Sequence, residues 1–253
     1  MEGSDKLTRI ADERAIGCQA HGARMLFGFG PAKPAGAPDD RMRRILASLA
    51  GTIGAIRWGE QVHGRVIASL SAEPGRPFEN VACVGRCDAL MTSDVGLGLV
   101  VWTADCVPIL ITGDGVVAAV HSGWRGCVAD VIGEVVRRFA IEYGVVPQSL
   151  RAMLGPAISG PRYEVSQEVI DGLRAFGLDE ELWRVGSRVD LRGFLTARLE
   201  NLGLDPSRVD TAGPCTASTA ELASFRRDGS GAGRQWSMIY RTGDGDFRGA
   251  KSH

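Results

Sequence analysis

The chain has 253 residues, 44% of them hydrophobic and 23% charged, with a formal net charge of −1 at pH 7. This is the composition of an ordinary globular protein, and the length allows a substantial buried core. Neither a basic nor an acidic field dominates, which argues against a nucleic acid or an anionic membrane as partner.

The expected compartment is the cytoplasm. No apolar run reaches the roughly 20 residues that a membrane-spanning helix needs, and residues 1–6 lack the features of a secretory signal. The six cysteines are scattered along the chain, which argues against a disulfide framework.

Strands and helices alternate irregularly along the chain, and neither an internal repeat nor a linker is visible. The predicted elements are a loop at 31–40, a helix at 41–50, strand–turn–strand at 58–70, a loop at 71–80, strands at 97–103, 107–112 and 116–120, a helix at 124–143 stopped by Gly144, a strand at 150–154, helices capped by Ser166 and Asp190, and a strand at 236–241. We predict one α+β domain over residues 1–253, with a polar, flexible tail after Gly243.

The segment 121–126 (HSGWRG) is the most informative part of the sequence. It lies where a short β-branched strand is predicted to pass into the long amphipathic helix. His121 is therefore expected at a strand end, beside a helix N-terminus whose free N–H groups and partial positive charge suit an anion. A titratable side chain and an arginine, Arg125, at such a junction indicate chemistry more than packing.

Two further residues stand at predicted strand ends. His63 precedes the turn residue Gly64, and Cys106 lies where an apolar strand stops and restarts. The separations are too long for a structural zinc knuckle, but three single ligands match a catalytic zinc with an open fourth position. From the residues alone, a buried thiol with two hydrogen-bonded imidazoles is the competing interpretation, and a metal-free nucleophile formed by Cys106 and His121 is another.

Several motifs together resemble the YfiH family, whose members have been called laccase-domain proteins, multicopper polyphenol oxidases and purine nucleoside phosphorylases. The motifs follow one another in the family's order and cover about residues 60–240. They are 61–64 (QVHG), 87–92 (CDALMT), 103–108 (TADCVP), 119–126 (AVHSGWRG), 154–158 (LGPAI), 224–228 (SFRRD) and 233–235 (GRQ).

The resemblance implies a site and an activity. His63, Cys106 and His121 would be catalytic residues and ligands of Zn²⁺, with Cu²⁺ as the alternative metal. The implied reaction is phosphorolysis of adenosine, inosine, guanosine or methylthioadenosine, with adenosine deaminase activity as well, so the expected partners are a purine nucleoside and phosphate. The implied fold is a single four-layer α/β/β/α sandwich, similar to that of proteins assigned as cysteine hydrolases.

Other motif residues are expected to bind substrate. Arg125 is the candidate phosphate clamp, because a guanidinium offers a fork of N–H donors; the alternative is a surface ion pair. Asp105 is expected to orient a ligand histidine or hold the substrate, unless it is a solvated turn residue. Arg226 and Arg227 would add positive charge, and Trp124 is expected to pack rather than stack on a base.

Alternative functions remain open. A laccase-type copper oxidase needs many histidines, and the chain has four. A metal-free Cys–His hydrolase would fit the peptidoglycan-editing role also attributed to the family. A non-catalytic binding module is disfavoured by the clustering of polar motifs at strand ends.

Outside these motifs, fewer positions point to function. The remaining cysteines are interpreted as idle thiols, and His21 and His253 as solvated side chains. Phe27 stands where the family often has a histidine, so substrate preference is expected to differ if that position shapes the pocket.

Overall fold

The computed structural model describes residues 6–10, 13–20, 22–29, 38–72 and 80–243. Within these ranges the strands are β1 (Lys6–Ile10), β2 (Glu13–Ala20), β3 (Ala23–Phe29), β4 (Ala55–Glu60), β5 (Ile67–Leu70), β6 (Asn80–Arg86), β7 (Ala89–Thr92), β8 (Leu97–Thr103), β9 (Val107–Gly113), β10 (Val116–Ser122), β11 (Arg151–Leu154), β12 (Arg184–Val185), β13 (Arg188–Val189), β14 (Val209–Thr211) and β15 (Gln235–Arg241). The α-helices are α1 (Pro38–Ser48), α2 (Trp124–Val128), α3 (Val131–Tyr143), α4 (Gln167–Arg174), α5 (Leu191–Asn201) and α6 (Phe225–Asp228).

Two mixed sheets carry most of the strands. The first sheet has the order β1-β2-β3-β15-β8-β4-β6, and the second sheet has the order β14-β11-β9-β10-β7-β5. Most neighbours are antiparallel, but β4 runs parallel to both β6 and β8, and β5 runs parallel to β7. Consecutive strands such as β4 and β5 therefore lie in different sheets, and the chain crosses between the sheets to connect them.

The core consists of three apolar layers. Between the sheets, Phe27 and Leu99 of the first sheet pack in one cluster with Leu110 of the second. Helix α1 covers the outer face of the first sheet, and α3, α4 and α5 cover the outer face of the second. The predicted four-layer α/β/β/α sandwich is thus confirmed.

The central strands were predictable because their residues are buried on both faces. Every residue of β9 and β10 is buried, so both read as continuous apolar runs in the sequence. The predicted helix start at Asp190 is also confirmed, since its carboxylate accepts hydrogen bonds from the backbone N–H groups of Arg192 and Gly193. Ser166 occupies the N-cap position of α4, but its side chain makes no capping hydrogen bond.

The predicted single helix at 124–143 is wrong, because the chain turns at Asp130. Helix α2 ends at Val128, and Asp130 has a left-handed backbone with φ of 57°. The Asp130 side chain caps α3 at Gly133 and forms two hydrogen bonds with the guanidinium of Arg198. Arg125 therefore lies on a helix of five residues, whose partial charge is smaller than that of the predicted long helix.

Other boundaries also differ from the sequence predictions. Helix α1 begins at Pro38, inside the predicted loop, because proline is well tolerated in the first turn of a helix. The sequence pattern did not predict strands β1, β2, β3, β6, β7, β12, β13 and β14 or helix α6. Residues 31–37 of the predicted loop at 31–40, residues 73–79 of the predicted loop at 71–80, the tail after Gly243, and both His21 and His253 lie outside the described residues. No helix of the described ranges is long and apolar enough to cross a bilayer.

Replacing Asp130 by alanine should destabilise the protein by roughly 2 kcal/mol. The substitution removes an N-cap, worth about 1 kcal/mol, and forces a residue with a Cβ but no polar group into the left-handed region, at a cost of about 1 kcal/mol. Asp130→Asn keeps the capping oxygen and tolerates this backbone, so it should lose clearly less. Urea denaturation followed by circular dichroism measures both variants, and equal midpoints for Asp130→Ala and the parent protein would contradict this account.

Candidate functional site

The three predicted ligands meet at one end of the sandwich. His63 lies in the crossing from β4 to β5, Cys106 in the turn from β8 to β9, and His121 near the end of β10. Their ligand atoms all lie within 4.8 Å of one another, and His63 Nε2 is 3.9 Å from Cys106 Sγ. The two imidazole rings stand edge to face with centroids 4.8 Å apart. Residues far apart in sequence are thus brought into one N,N,S cluster.

The segment that carries His63 is held by side-chain hydrogen bonds. Where β4 ends, the amide of Gln61 donates to the carbonyl of Trp102 at 2.6 Å and accepts from its N–H at 2.7 Å. The Gln61 side chain thereby replaces the backbone pairing that the departing strand can no longer supply. His63 itself has φ of 61°, a conformation that is uncommon for a residue with a Cβ.

A buried carboxylate, Asp88, lies behind the cluster. It accepts hydrogen bonds from the backbone N–H groups of His63 and Gly64, both at 2.8 Å, and its Oδ1 is 3.0 Å from His121 Nδ1. Burial works to raise the pKa of Asp88, but these hydrogen bonds outweigh it and lower the pKa below its usual value. Asp88 is therefore ionised, and its bond to Nδ1 leaves Nε2 of His121 for a ligand.

The turn before Cys106 is fixed by Asp105, whose φ is 87°. Its carboxylate accepts from the hydroxyl of Thr216 and from the backbone N–H of Arg226, both at 2.6 Å. The expectation that Asp105 orients a ligand histidine is therefore wrong, because its oxygens are directed to the C-terminal segment. Asp105 borders the cavity and ties Arg226 to the turn that carries Cys106.

The cluster favours a thiolate beside a charged imidazole. Burial of Cys106 opposes the thiolate, but hydrogen bonds and charge from His121 and His63 prevail and lower its pKa to about 6. Burial likewise opposes the imidazolium of His121, but Asp88 and Cys106 prevail and raise its pKa to about 9. A thiolate is the form of cysteine that binds metals and acts as a nucleophile.

The donor set fits a zinc ion. Two imidazoles and a thiolate are zinc ligands, and the usual bond lengths place tetrahedral ligand atoms about 3.3–3.6 Å apart, slightly closer than the His63–Cys106 distance. Gly123 leaves the space open, since a Cβ there would lie 2.8 Å from Cys106 Sγ and 3.3 Å from a ring carbon of His63. The carboxylate behind His121 is the usual second partner of a metal-bound histidine.

The cluster opens into a cavity of about 560 Å³. Aromatic and cationic side chains dominate its wall, and Asp105 is the only carboxylate among the described lining residues. Two buried polar atoms of residues on this wall, Trp102 Nε1 and Thr103 Oγ1, have no hydrogen-bond partner within the described part of the chain. The lining includes Gln61, Trp102, Thr103, Trp124, Arg125, Ile158, Tyr163, Leu191, Phe225, Arg226 and Arg234.

Three arginines border this cavity. Arg125 lies over the ring of Trp124 at 4.3 Å from its centroid, and Arg226 lies over Tyr163 at 5.1 Å. The third is Arg234, which lies in the motif at 233–235 and which the sequence alone did not mark as a site residue. Arg227 does not line the cavity; its guanidinium donates to backbone carbonyl groups, including that of Leu222. Of the predicted pair, Arg226 is thus the one that borders the site.

The remaining cysteines form no second metal cluster among the described residues. Cys83 is exposed on β6, whereas burial, with the charges of Asp88 and Cys83, raises the pKa of Cys87 to about 11. Burial also raises the pKa of Cys127 to about 12. Phe27 is buried between the sheets and is not among the described residues of the cavity wall, so it does not shape the cavity.

Comparison with known proteins shows the family. The sequence profile of the family described as "Multi-copper polyphenol oxidoreductase laccase" matches residues 37–242. The chain belongs to this family. This membership confirms the resemblance to the laccase-domain, or YfiH, proteins that the motifs indicated.

Curated relatives carry a different description from that of the family. A protein of Deinococcus radiodurans named purine nucleoside phosphorylase is 38% identical over 200 residues, covering 78% of this chain and 74% of the relative. A protein of the same name from Streptomyces coelicolor is 37% identical over 204 residues, covering 77% and 80%.

Solved structures of the family share the fold. YfiH of Bacillus licheniformis superposes with a TM-score of 0.79 at 21% identity, covering 90% of this chain and 96% of that one. YlmD of Geobacillus stearothermophilus gives a TM-score of 0.77 at 26% identity, covering 95% and 100%.

The purified protein should bind one metal ion through Cys106. We expect zinc near one equivalent in the parent protein and a large loss in Cys106→Ala, because two imidazoles alone make a weak site. Cys83→Ala removes an exposed thiol away from the cluster and should keep the metal. Elemental analysis after dialysis measures all three proteins, and a full equivalent of zinc in Cys106→Ala would refute the cluster as the metal site.

Proposed function

We propose that this chain is a zinc-dependent purine nucleoside phosphorylase of the laccase-domain family. The observation that carries the proposal is the meeting of an N,N,S cluster with an aromatic, arginine-bordered cavity at one end of the sandwich. Two relatives that cover most of the chain bear this activity as their name. Adenosine, inosine, guanosine and methylthioadenosine are the proposed substrates.

The cavity suits the two reactants. Its volume of about 560 Å³ lies within the usual range for small-molecule sites, and its aromatic side chains offer faces for a purine. Arg125 and Arg226 are the proposed phosphate ligands, because guanidinium groups bind phosphate oxygens in pairs. Asp105 is proposed to hold Arg226 in place rather than to touch phosphate, since its oxygens already accept hydrogen bonds.

The reaction would proceed by displacement at the sugar. An oxygen of phosphate bonds to C1′ of the ribose, the bond from C1′ to the purine nitrogen breaks, and the purine leaves with the electron pair and takes up a proton. Burial and the charge of Cys106 raise the pKa of Tyr163 to about 12, so its phenol remains a hydrogen-bond donor at neutral pH. The bound zinc would act as a Lewis acid on a substrate oxygen.

Zinc is proposed over copper because of the donor count. Laccase-type chemistry needs several coppers with many histidines, whereas the sequence has four and the cluster uses two. The free state of all six cysteines fits a reducing compartment, so we place the activity in the cytoplasm.

Adenosine deamination needs a carboxylate that carries a proton to and from the base. Asp105 is the one carboxylate among the described lining residues, and both its oxygens accept hydrogen bonds from the protein. We therefore propose phosphorolysis as the main reaction and deamination as a secondary activity of the same cavity.

One observation favours a second candidate, a metal-free cysteine hydrolase. His121 lies between the Cys106 thiol and the Asp88 carboxylate, which is the arrangement of a base between a nucleophile and an orienting carboxylate. The low pKa of Cys106 also suits a nucleophile. In that enzyme the Cys106 thiolate would attack a carbonyl carbon, and the bond from that carbon to an amine or alcohol would break as His121 protonates the leaving group. Water would then hydrolyse the thioester, which releases a carboxylate and restores the thiolate. Removal of zinc would then leave the activity intact or raise it.

Incubation of the zinc-loaded protein with adenosine should release adenine only when phosphate is present. Chromatography resolves adenine, the product of phosphorolysis, from inosine, the product of deamination. We expect dialysis against a chelator to abolish adenine release and added zinc to restore it. Release of adenine without phosphate, or activity that survives chelation, would contradict the proposal, and the latter result would favour the hydrolase.

The arginines at the cavity can be tested separately. Arg125→Gln should raise the KM for phosphate about 10- to 100-fold, since a hydrogen bond to a charged group contributes about 1.5–3 kcal/mol, while the metal content stays near one equivalent. Arg137→Gln is the matched control, because Arg137 lies exposed on α3 and pairs with Glu134. An unchanged KM for phosphate in Arg125→Gln would remove this residue from the phosphate site.

A further inference from the structure

We propose that Asp88 is a positioning residue that holds both histidine ligands of the metal site at once. The inference rests on the metal site of the proposed function, but not on the identity of the substrate. Asp88 directly precedes β7 and is completely buried, and its carboxylate is hydrogen-bonded to the two segments that carry the histidines.

The two oxygens of Asp88 divide their hydrogen bonds between two parts of the chain. Oδ1 accepts from the backbone N–H of His63 and lies 3.0 Å from Nδ1 of His121, while Oδ2 accepts from the N–H of Gly64. The backbone carbonyl of Asp88 also accepts from the N–H of His121 at 2.8 Å. One residue thus connects the crossing from β4 to β5 with the end of β10.

The first consequence concerns the backbone of His63. Its left-handed conformation costs about 1 kcal/mol for a residue with a Cβ. Adjacent N–H groups of His63 and Gly64 point at one carboxylate in this conformation, so the hydrogen bonds to Asp88 offset the cost. Without them the crossing segment would relax to an extended backbone, and the imidazole of His63 would leave the cluster.

The second consequence concerns the ring of His121. A carboxylate at Nδ1 selects the tautomer that has its proton on Nδ1 and its lone pair on Nε2, and it fixes the rotation of the ring. His121 is 3% exposed, so no bulk water is available to replace this partner. The same carboxylate oxygen therefore sets the direction of one ligand and the backbone of the other.

An amide cannot perform both tasks. Asparagine has one acceptor oxygen, whereas Asp88 uses both oxygens to accept from three donors. If the asparagine oxygen takes the place of Oδ1, its NH₂ group meets the N–H of Gly64; if it takes the place of Oδ2, the NH₂ group meets His63 and His121. Asp88→Asn must therefore loosen at least one ligand, although it conserves size and burial.

The test compares metal affinity in Asp88→Asn, Asp94→Asn and the parent protein. Asp94 is the matched control, because it also accepts from a loop N–H, that of Ala72, but lies at the other end of β7. Competition with a chromophoric chelator should show zinc binding weakened about 10- to 100-fold in Asp88→Asn, with less than a threefold change in Asp94→Asn.

Cobalt replaces zinc as a spectroscopic probe in the same proteins. We expect Asp88→Asn to keep the charge-transfer band from the Cys106 thiolate but to weaken the strong visible bands of tetrahedral cobalt, because a histidine ligand is loosened while the thiolate stays in place. A general loss of folding would instead lower the thermal midpoint of the metal-free variant, and it would weaken the charge-transfer band and the visible bands together. Zinc affinity within threefold of the parent protein, with an unchanged cobalt spectrum, overturns the proposal.

If Asp88→Asn does not fold, nuclear magnetic resonance on the unmutated, metal-free protein tests the hydrogen bonds of Asp88 directly. The amides of His63 and Gly64 should exchange slowly with deuterium, and so should the proton on Nδ1 of His121, because each of them is hydrogen-bonded to Asp88. Amide exchange as fast as in an exposed loop overturns the proposal. None of these measurements involves a nucleoside, so failure of the phosphorylase assay leaves this inference intact, and its own failure leaves the assay result unaffected.

Discussion

The face-to-face packing of the two sheets determines where every ligand lies. The chain crosses from the first sheet to the second in the segments that carry His63 and Cys106, so each segment is anchored in both sheets. Their separation is therefore set by side chains such as Leu99 and Leu110, which pack between the sheets. A close-packed interior deforms little, so this packing serves the site as a rigid support.

The backbone at the site adopts conformations whose free-energy cost must be offset by other interactions. His63 and Asp105 both have positive φ, which costs about 1 kcal/mol for each residue. Two aspartates supply the compensation in parallel ways: Asp88 joins the His63 turn to β10, and Asp105 joins the Cys106 turn to Thr216 and Arg226. The N,N,S cluster and the arginine beside the cavity are thus parts of one hydrogen-bonded frame.

Strong local patterns made part of this structure predictable. Strands β8, β9 and β10 are apolar runs bounded by turn residues, and the ligands His63, Cys106 and His121 stand at the ends of such runs within recognisable motifs. The pattern could not show the break at Asp130, because apolar residues keep helical spacing on both sides of it. The turn depends on Arg198, which is far away in sequence.

Contacts between residues far apart in the chain could not be predicted from the sequence either. Asp88 lies in the motif at 87–92, but its role depends on hydrogen bonds with His63 and His121. Only the fold brings these residues together. Asp105 stands next to Cys106 in sequence, which made it the natural candidate for an orienting carboxylate. Its actual partners, Thr216 and Arg226, lie more than a hundred residues away.

The same three side chains cannot serve as zinc ligands and as a catalytic thiol pair at the same time. A thiolate that shares an electron pair with zinc would be a weaker nucleophile than the free thiolate, and an imidazole with Nδ1 on Asp88 and Nε2 on a metal would have no nitrogen left to act as a base. With zinc bound, the proposed enzyme would therefore take its nucleophile from outside the protein, and the arginines at the cavity would suit an anionic one. Phosphate would meet that requirement, so for the proposed phosphorylase we expect metal content and phosphate dependence to be linked.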